Sequence, residues 1–405
     1  MSFPACSHGA KKEQQPKPLK RRPPLIAFIC NEPFRVFFPL GIIAATLGVL
    51  LWPAFYAGWI SFYPVFAHPR MMIQGFLACF VIGFLGTAGP RILSAPRIKP
   101  LELLLLLSGV ISCIFFQLRG DWQTGDSIFL GTIILLLGGL LTRALFLRKD
   151  LPPPPLLLAV FGLLSAIAGI VIIKLIMKVG GDASVMRFAN LLLYQGFLLL
   201  PVMGIGTFFF PRLLGVDAKK APPGRSRWIF TGAFALAILA TFVVESWLSA
   251  QTGLALRAVL CCAFMLREVH WLKKAEKIPG SLSMAMKTAL YCGAYGLLAA
   301  AIIPQRHVAF EHLLYIGGFA LLTLVVASRV LLGHSGDIAI AGKKLWIVRI
   351  LTGLTVLAAM TRISADLLPK MQISHYKYAA WLSAFVFLLW AGWHFRRFFK
   401  ADPED

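Results

Sequence analysis

LLLAVFGLLSAIAGIVII, residues 156–173, runs for eighteen positions without a charged side chain. At ~1.5 Å rise per residue an α-helix of that length reaches ~27 Å, close to the ~30 Å hydrocarbon core of a bilayer. Such a run reads as a membrane-spanning helix rather than a buried soluble one. Four prolines, Pro152 to Pro155, mark its start, and Lys174 and Lys178 can snorkel to an interface at its far end.

Runs of the same kind lie on both sides of it. Twelve spans are expected, roughly 36–57, 70–90, 100–118, 126–147, 154–177, 187–210, 227–247, 251–270, 283–303, 310–332, 344–364 and 375–397. The whole chain has the matching composition: of 405 residues 58% are hydrophobic and 14% charged, and the mean hydropathy is +0.77. A soluble globular chain carries about 25% charged residues. The expected fold is an all-α polytopic membrane protein with about twelve transmembrane helices. It forms a single domain over residues 35–400, between a polar, basic tail at 1–34 and a short tail at 401–405. Seven cysteines without a CxxC exclude a disulfide or thiolate-metal scaffold as the basis of the fold.

The net charge of +23 would suggest nucleic acid in a soluble protein. Here the basic residues sit between apolar runs, and alternate links are rich and poor in them. One side collects 25 Lys and Arg, among them Lys11, Arg91, Arg225, Lys273 and Arg396; the other collects eight, including Arg70, Arg187, Arg306 and Arg362. Positive charge marks the cytoplasmic side, so both termini are expected in the cytoplasm. The bilayer, not nucleic acid, is the expected partner.

The chain also echoes itself. GTAGPRIL (Gly86–Leu93), GTFFFPRLLG (Gly206–Gly215) and SRVLLGHSG (Ser328–Gly336) close the second, sixth and tenth spans, with Arg91, Arg212 and Arg329 spaced 121 and 117 residues apart. Upstream of them stand IQGF (Ile73–Phe76), YQGF (Tyr194–Phe197) and YIGGF (Tyr315–Phe319). Three four-helix units are expected, with these three spans in equivalent inner positions.

Of the eight histidines, His68, His307, His312 and His375 fall at extracytoplasmic helix ends. Imidazole is the commonest metal ligand and an axial ligand of haem iron. His68 opens the second span and His312 the tenth, so two repeat-related helices each present one imidazole at similar depth. They are the expected ligand pair, with His307 and His375 as second choices. His334 sits at the opposite end, where a structural or cytoplasmic contact is expected. Met71 and Met72 follow His68 closely, and thioether with imidazole suits copper. No span centre carries a carboxylate, and no Walker loop, dinucleotide fingerprint or HExxH occurs.

GFLGTAGP (Gly83–Pro90), then His312 followed by Gly317, Gly318, Ser328, Arg329 and LGHSG (Leu332–Gly336), resemble the NnrS family over about residues 30–400. The family departs from this chain near the second span: Arg70 stands where a second histidine is expected and Met71 where a glutamate is. The resemblance implies a bacterial inner-membrane protein that contains haem, b-type by expectation, with copper as a further metal, and that acts in the response to nitric oxide. His68 and His312 are then the expected haem ligands, and Arg70 and Arg306, cations on the same side, the expected partners of the haem propionates. Two other readings remain open at this point: a cofactor-free transporter or exporter, and an assembly scaffold for a respiratory complex.

Overall fold

The computed structural model describes residues 24–215, 224–270 and 280–402. Residues 1–23 of the expected tail, with His8, and residues 403–405 lie outside them. Among the described residues there are helices and connecting turns but no strand. A short helix α1 (Leu25–Asn31) precedes α2 (Phe34–Tyr56), α3 (Ala67–Ile92), α4 (Pro100–Leu118), α5 (Trp122–Phe146), α6 (Leu156–Val179) and α7 (Ala183–Pro211). There follow α8 (Arg225–Leu248), α9 (250–269), α10 (Ser281–Ile302), α11 (Pro304–His334), α12 (Trp346–Leu367) and α13 (Pro369–Phe399).

Eleven of these, all except α1 and α9, are long and apolar enough to cross a membrane. The chain is therefore an all-helical, multi-pass membrane protein. Each of the eleven falls on one of the twelve expected spans; the remaining one, 251–270, falls on α9, which is helical throughout and carries Arg257, Arg267 and Glu268. A difference concerns 25–31, expected as tail: LIAFICN is apolar and free of proline, and it forms α1 between Pro24 and Pro33.

Local sequence explains several helix starts. Asp121 and Asp182 cap α5 and α7 by accepting from the N–H groups of Thr124 and Val185 at 3.1 and 2.8 Å. Ser249 does the same for α9 through Thr252. Consecutive helices pack as pairs, α6 on α7, α10 on α11 and α12 on α13, and α13 returns onto α2 to close the bundle. Glycine allows the closest approaches. A Cβ on Gly48 of α2 would stand 2.9 Å from the Cβ of Met71 on α3, and one on Gly296 of α10 would stand 2.7 Å from the backbone N of Leu314 on α11.

The innermost spans are α3, α7 and α11: 83, 72 and 72% of their apolar stretches are buried, against 33–67% for the rest. Each of the three also unwinds locally into a π turn, at Met71–Leu77, Leu192–Gly196 and Leu313–Ala320. These turns fall on the strings IQGF, YQGF and YIGGF. A π turn spends one extra residue and redirects the side chains around it, and such turns are frequent at functional sites.

At the end of the bundle away from His68, Asp337 accepts from Lys400 Nζ at 2.8 Å and from Arg397 Nε at 3.0 Å. The Lys400 hydrogen bond, with Arg397 adding and partial burial opposing, holds the Asp337 carboxyl below the usual carboxylate range. A carboxyl with a depressed folded pKa stabilises above its unfolded value, ~3.9, and that stability is lost as pH falls through the folded value. Asp337→Asn is thus expected to lower the thermal midpoint slightly near neutrality, with the difference shrinking between about pH 5 and about pH 2. A gap that stayed constant over that range would mean these ion pairs add nothing.

Candidate functional site

The starts of α3 and α11 face each other across a cavity of about 400 Å³, closed by α2, α12 and α13. This lies within the ~300–1,000 Å³ common for cofactor and small-molecule pockets. His68 and His312 both line it. His68 stands three residues before the π turn of α3 and His312 immediately before that of α11. Met72, Ile73 and Phe76 from the first turn and Tyr315 and Ile316 from the second supply much of the wall between them.

The two imidazoles are held alike. His68 Nδ1 is 2.9 Å from the carbonyl oxygen of Gly48, and His312 Nδ1 is 2.6 Å from that of Val308. A carbonyl oxygen only accepts, so in each ring Nδ1 carries the proton and donates. In the neutral ring that leaves Nε2 as a bare lone pair, the form of histidine that coordinates a metal. A backbone carbonyl behind the other ring nitrogen is the usual outer partner of a metal-binding imidazole, because it fixes both tautomer and ring direction. Gly48 thus has two tasks: its missing Cβ lets α3 approach, and its carbonyl orients His68. Trp52 adds an edge contact to the His68 ring at 5.9 Å between centroids.

One cation lines this cavity, Arg362 of α12. Its Nη1 donates to Asp366 Oδ2 at 2.8 Å, and its guanidinium lies over the ring of Tyr376 at 4.5 Å. Tyr376, also in the wall, donates to Asp366 Oδ1 at 2.6 Å. Asp366 balances its charge, and the guanidinium stands as a hydrogen-bond donor group in the wall of a largely apolar and aromatic enclosure.

The other residues expected from sequence lie elsewhere. Arg70 is 2% exposed, does not line the cavity and pairs with Asp126, with Nε 2.9 Å from Oδ1 and Nη2 2.9 Å from Oδ2. It also donates to the Tyr194 hydroxyl at 3.1 Å and lies 4.5 Å from the centroid of the Trp122 ring. Arg306 is exposed and donates to the backbone oxygen of Asp366 at 3.0 Å. His375 shares a 2.8 Å hydrogen bond with Ser364 and does not line the cavity. His307, whose Nδ1 donates to Pro304 O at 2.9 Å, lines a different, polar cavity.

At the opposite end, His334 Nδ1 meets Glu32, and it lies 2.8 Å from Asp402 Oδ2. Among the described residues these three form the one group of metal-capable side chains with donor atoms within 4.8 Å of one another. Arg91 stands 3.3 Å from Glu32 and 3.6 Å from Asp402, and Arg35 pairs with Glu32 and donates to the His334 carbonyl at 3.2 Å. Two guanidinium groups already balance the two carboxylates, so the group ties the ends of α3, α11 and α13 to the start of α2.

Residues not singled out from sequence include Arg362, Asp126, Gln74 and Gln195. A signal for the last two was present: both are the glutamine of the repeated strings IQGF and YQGF. Both are buried, and each donates to a carboxylate, Gln74 to Asp126 at 2.5 Å and Gln195 to Glu311 at 3.1 Å.

Fold and site together define an integral membrane protein with a paired-imidazole cavity on its inner helices. Residues 29–400 match the family model of the NnrS protein, and the chain belongs to that family. Membership fits a membrane protein of the nitric-oxide stress response. No curated protein matches the sequence.

Proposed function

We propose that the protein binds haem in the cavity between α3 and α11, through Nε2 of His68 and Nε2 of His312, and serves the response to nitric oxide in the bacterial inner membrane. The observation that carries this is the shared geometry: two imidazoles line one cavity of cofactor size, each with Nδ1 committed to a backbone carbonyl. Haem, when bound, supplies one-electron chemistry and an iron centre whose properties its axial ligands tune. The chain supplies an aromatic enclosure, fixed ring directions and Arg362 in the wall. Met72 is the thioether beside the histidines, a soft donor that supports copper as a further metal. The excess of basic residues around the Arg91 end supports cytoplasmic termini. The burial of α3, α7 and α11, and their matching π turns, support an architecture of three four-helix units with α9 as the eighth spanning helix.

Pyridine haemochrome and metal analysis of the detergent-purified protein test the reading. A Soret band with a stoichiometric haem is expected; a colourless, metal-free, correctly folded protein would favour the transporter or scaffold readings instead. Arg362 takes the propionate role expected of Arg70 and Arg306, because it lines the cavity and they do not. A charge-assisted hydrogen bond contributes about 1.5–3 kcal/mol, so Arg362→Leu should weaken haem retention roughly 10- to 100-fold. Dilution of holoprotein into apomyoglobin reads the loss rate; an unchanged rate would remove Arg362 from the site.

A further inference from the structure

We propose that a second, polar cavity beside the first is its aqueous entrance, open to water and small hydrophilic solutes from the His68 end of the bundle. It has a volume of about 510 Å³ and lies where the starts of α7 and α11 meet the end of α8. Its lining is hydrophilic where that of the histidine cavity is aromatic: Ser184, Arg187, Asn190, Glu245, Ser246 and His307 all contribute. Tyr194, Glu311 and Tyr315 line both cavities, so a single layer of side chains separates them.

Three features require water here. Gln195 Oε1 and Ser246 Oγ are buried, without a protein partner, and belong to residues of this wall. Each such atom costs about 1–3 kcal/mol unless a water completes it. The volume exceeds by far the ~30 Å³ share of one water in the liquid, and polar partners are at hand to hold several. Finally, Arg187 and Glu245 pair at 2.8 Å on this wall, while Arg257, fully buried, pairs with the same carboxylate. Buried charges in a membrane protein ordinarily border a water-filled cavity. The dividing layer is itself polar, with two phenols and a carboxylate, and Gln195 holds Glu311 in place at 3.1 Å. Small hydrophilic species therefore reach the edge of the histidine cavity without crossing lipid.

The hydration of this cavity stands by itself; its service as entrance rests on the haem reading above. Cysteine accessibility tests the first. Ser246→Cys is made in the full-length protein in lipid nanodiscs, with the parent protein as the blank for native thiols. The probe is the trimethylammonium-ethyl methanethiosulfonate cation, which does not dissolve in hydrocarbon. Ser246→Cys should react on the order of tenfold faster than Ser165→Cys, which is buried in the packing of α6 against α7. Asn190→Trp, added to fill the cavity, should slow the reaction at position 246. Equal rates at 246 and 165, or no effect of Asn190→Trp, would overturn the proposal. In haem-loaded protein Asn190→Trp should also slow reduction by dithionite, followed at the Soret band; an unchanged rate would deny the cavity its role as entrance. Labelling needs no cofactor, so a colourless protein that labels rapidly refutes the haem reading alone.

Discussion

His68→Ala and His312→Ala are each expected to abolish most of the Soret absorbance while leaving the fold in place, and the double variant to abolish all of it. The asymmetry between cofactor and fold follows from what each ring does. Within the protein, His68 donates one hydrogen bond to Gly48 and His312 one to Val308. Losing such a bond costs about 0.5–1.5 kcal/mol, and an alanine leaves no unpaired acceptor behind, since each carbonyl also belongs to a helix. The iron loses a ligand outright. Haem content and thermal midpoint should therefore separate: content collapses while the apoprotein midpoint moves by a few degrees. His307→Ala and His375→Ala act as discriminating controls. Neither ring shares the cavity with His68, so both variants should keep the band at full height. A band that survives in His68→Ala, or vanishes equally in His375→Ala, would sink the assignment.

Much of this architecture was legible in the residues, and the reasons differ by element. Apolar runs such as 156–173 leave no alternative to a span, because in hydrocarbon each backbone polar group must bond within its own helix. His68 and His312 each precede an apolar run on the side poor in basic links, which marked both as helix starts on one side. What periodicity could not carry is pairing between distant elements. Arg70 looked available for an anionic ligand, since nothing near it in sequence neutralises it; its carboxylate, Asp126, comes from α5, 56 residues on. Arg362 looked like an ordinary interfacial cation until α12 brought it beside the two imidazoles. The π turns were invisible for a further reason. They fall on the repeated strings IQGF, YQGF and YIGGF, whose recurrence marks equivalent positions but does not by itself spell a π turn. Arg257 stands inside α9 for the same kind of reason: its charge is met by Glu245 from the neighbouring helix, a pairing that the sequence does not display.

Asp126→Ala should be among the most destabilising single substitutions in the chain. Asp126 is 1% exposed and accepts from Arg70 through both oxygens and from Gln74. Removing it leaves a guanidinium, 2% exposed, with only the Phe66 carbonyl, the Tyr194 hydroxyl and the face of Trp122. Breaking a buried ion pair from one side costs about 3–5 kcal/mol, because the surviving charge stays desolvated. That approaches the whole ~5–15 kcal/mol stability of a typical domain, so a large loss of folded protein is expected on fluorescence size-exclusion chromatography. The double variant Arg70→Met with Asp126→Leu removes both charges together. It should recover most of the loss, since a packed apolar pair often equals a buried ion pair in stability. The same double variant decides what Arg70 is for. If Arg70 serves the fold, haem per folded molecule stays at the parent value once the pair is gone. If Arg70 bound a propionate, the recovered protein would remain haem-poor, and the division of labour between Arg70 and Arg362 would have to be reversed.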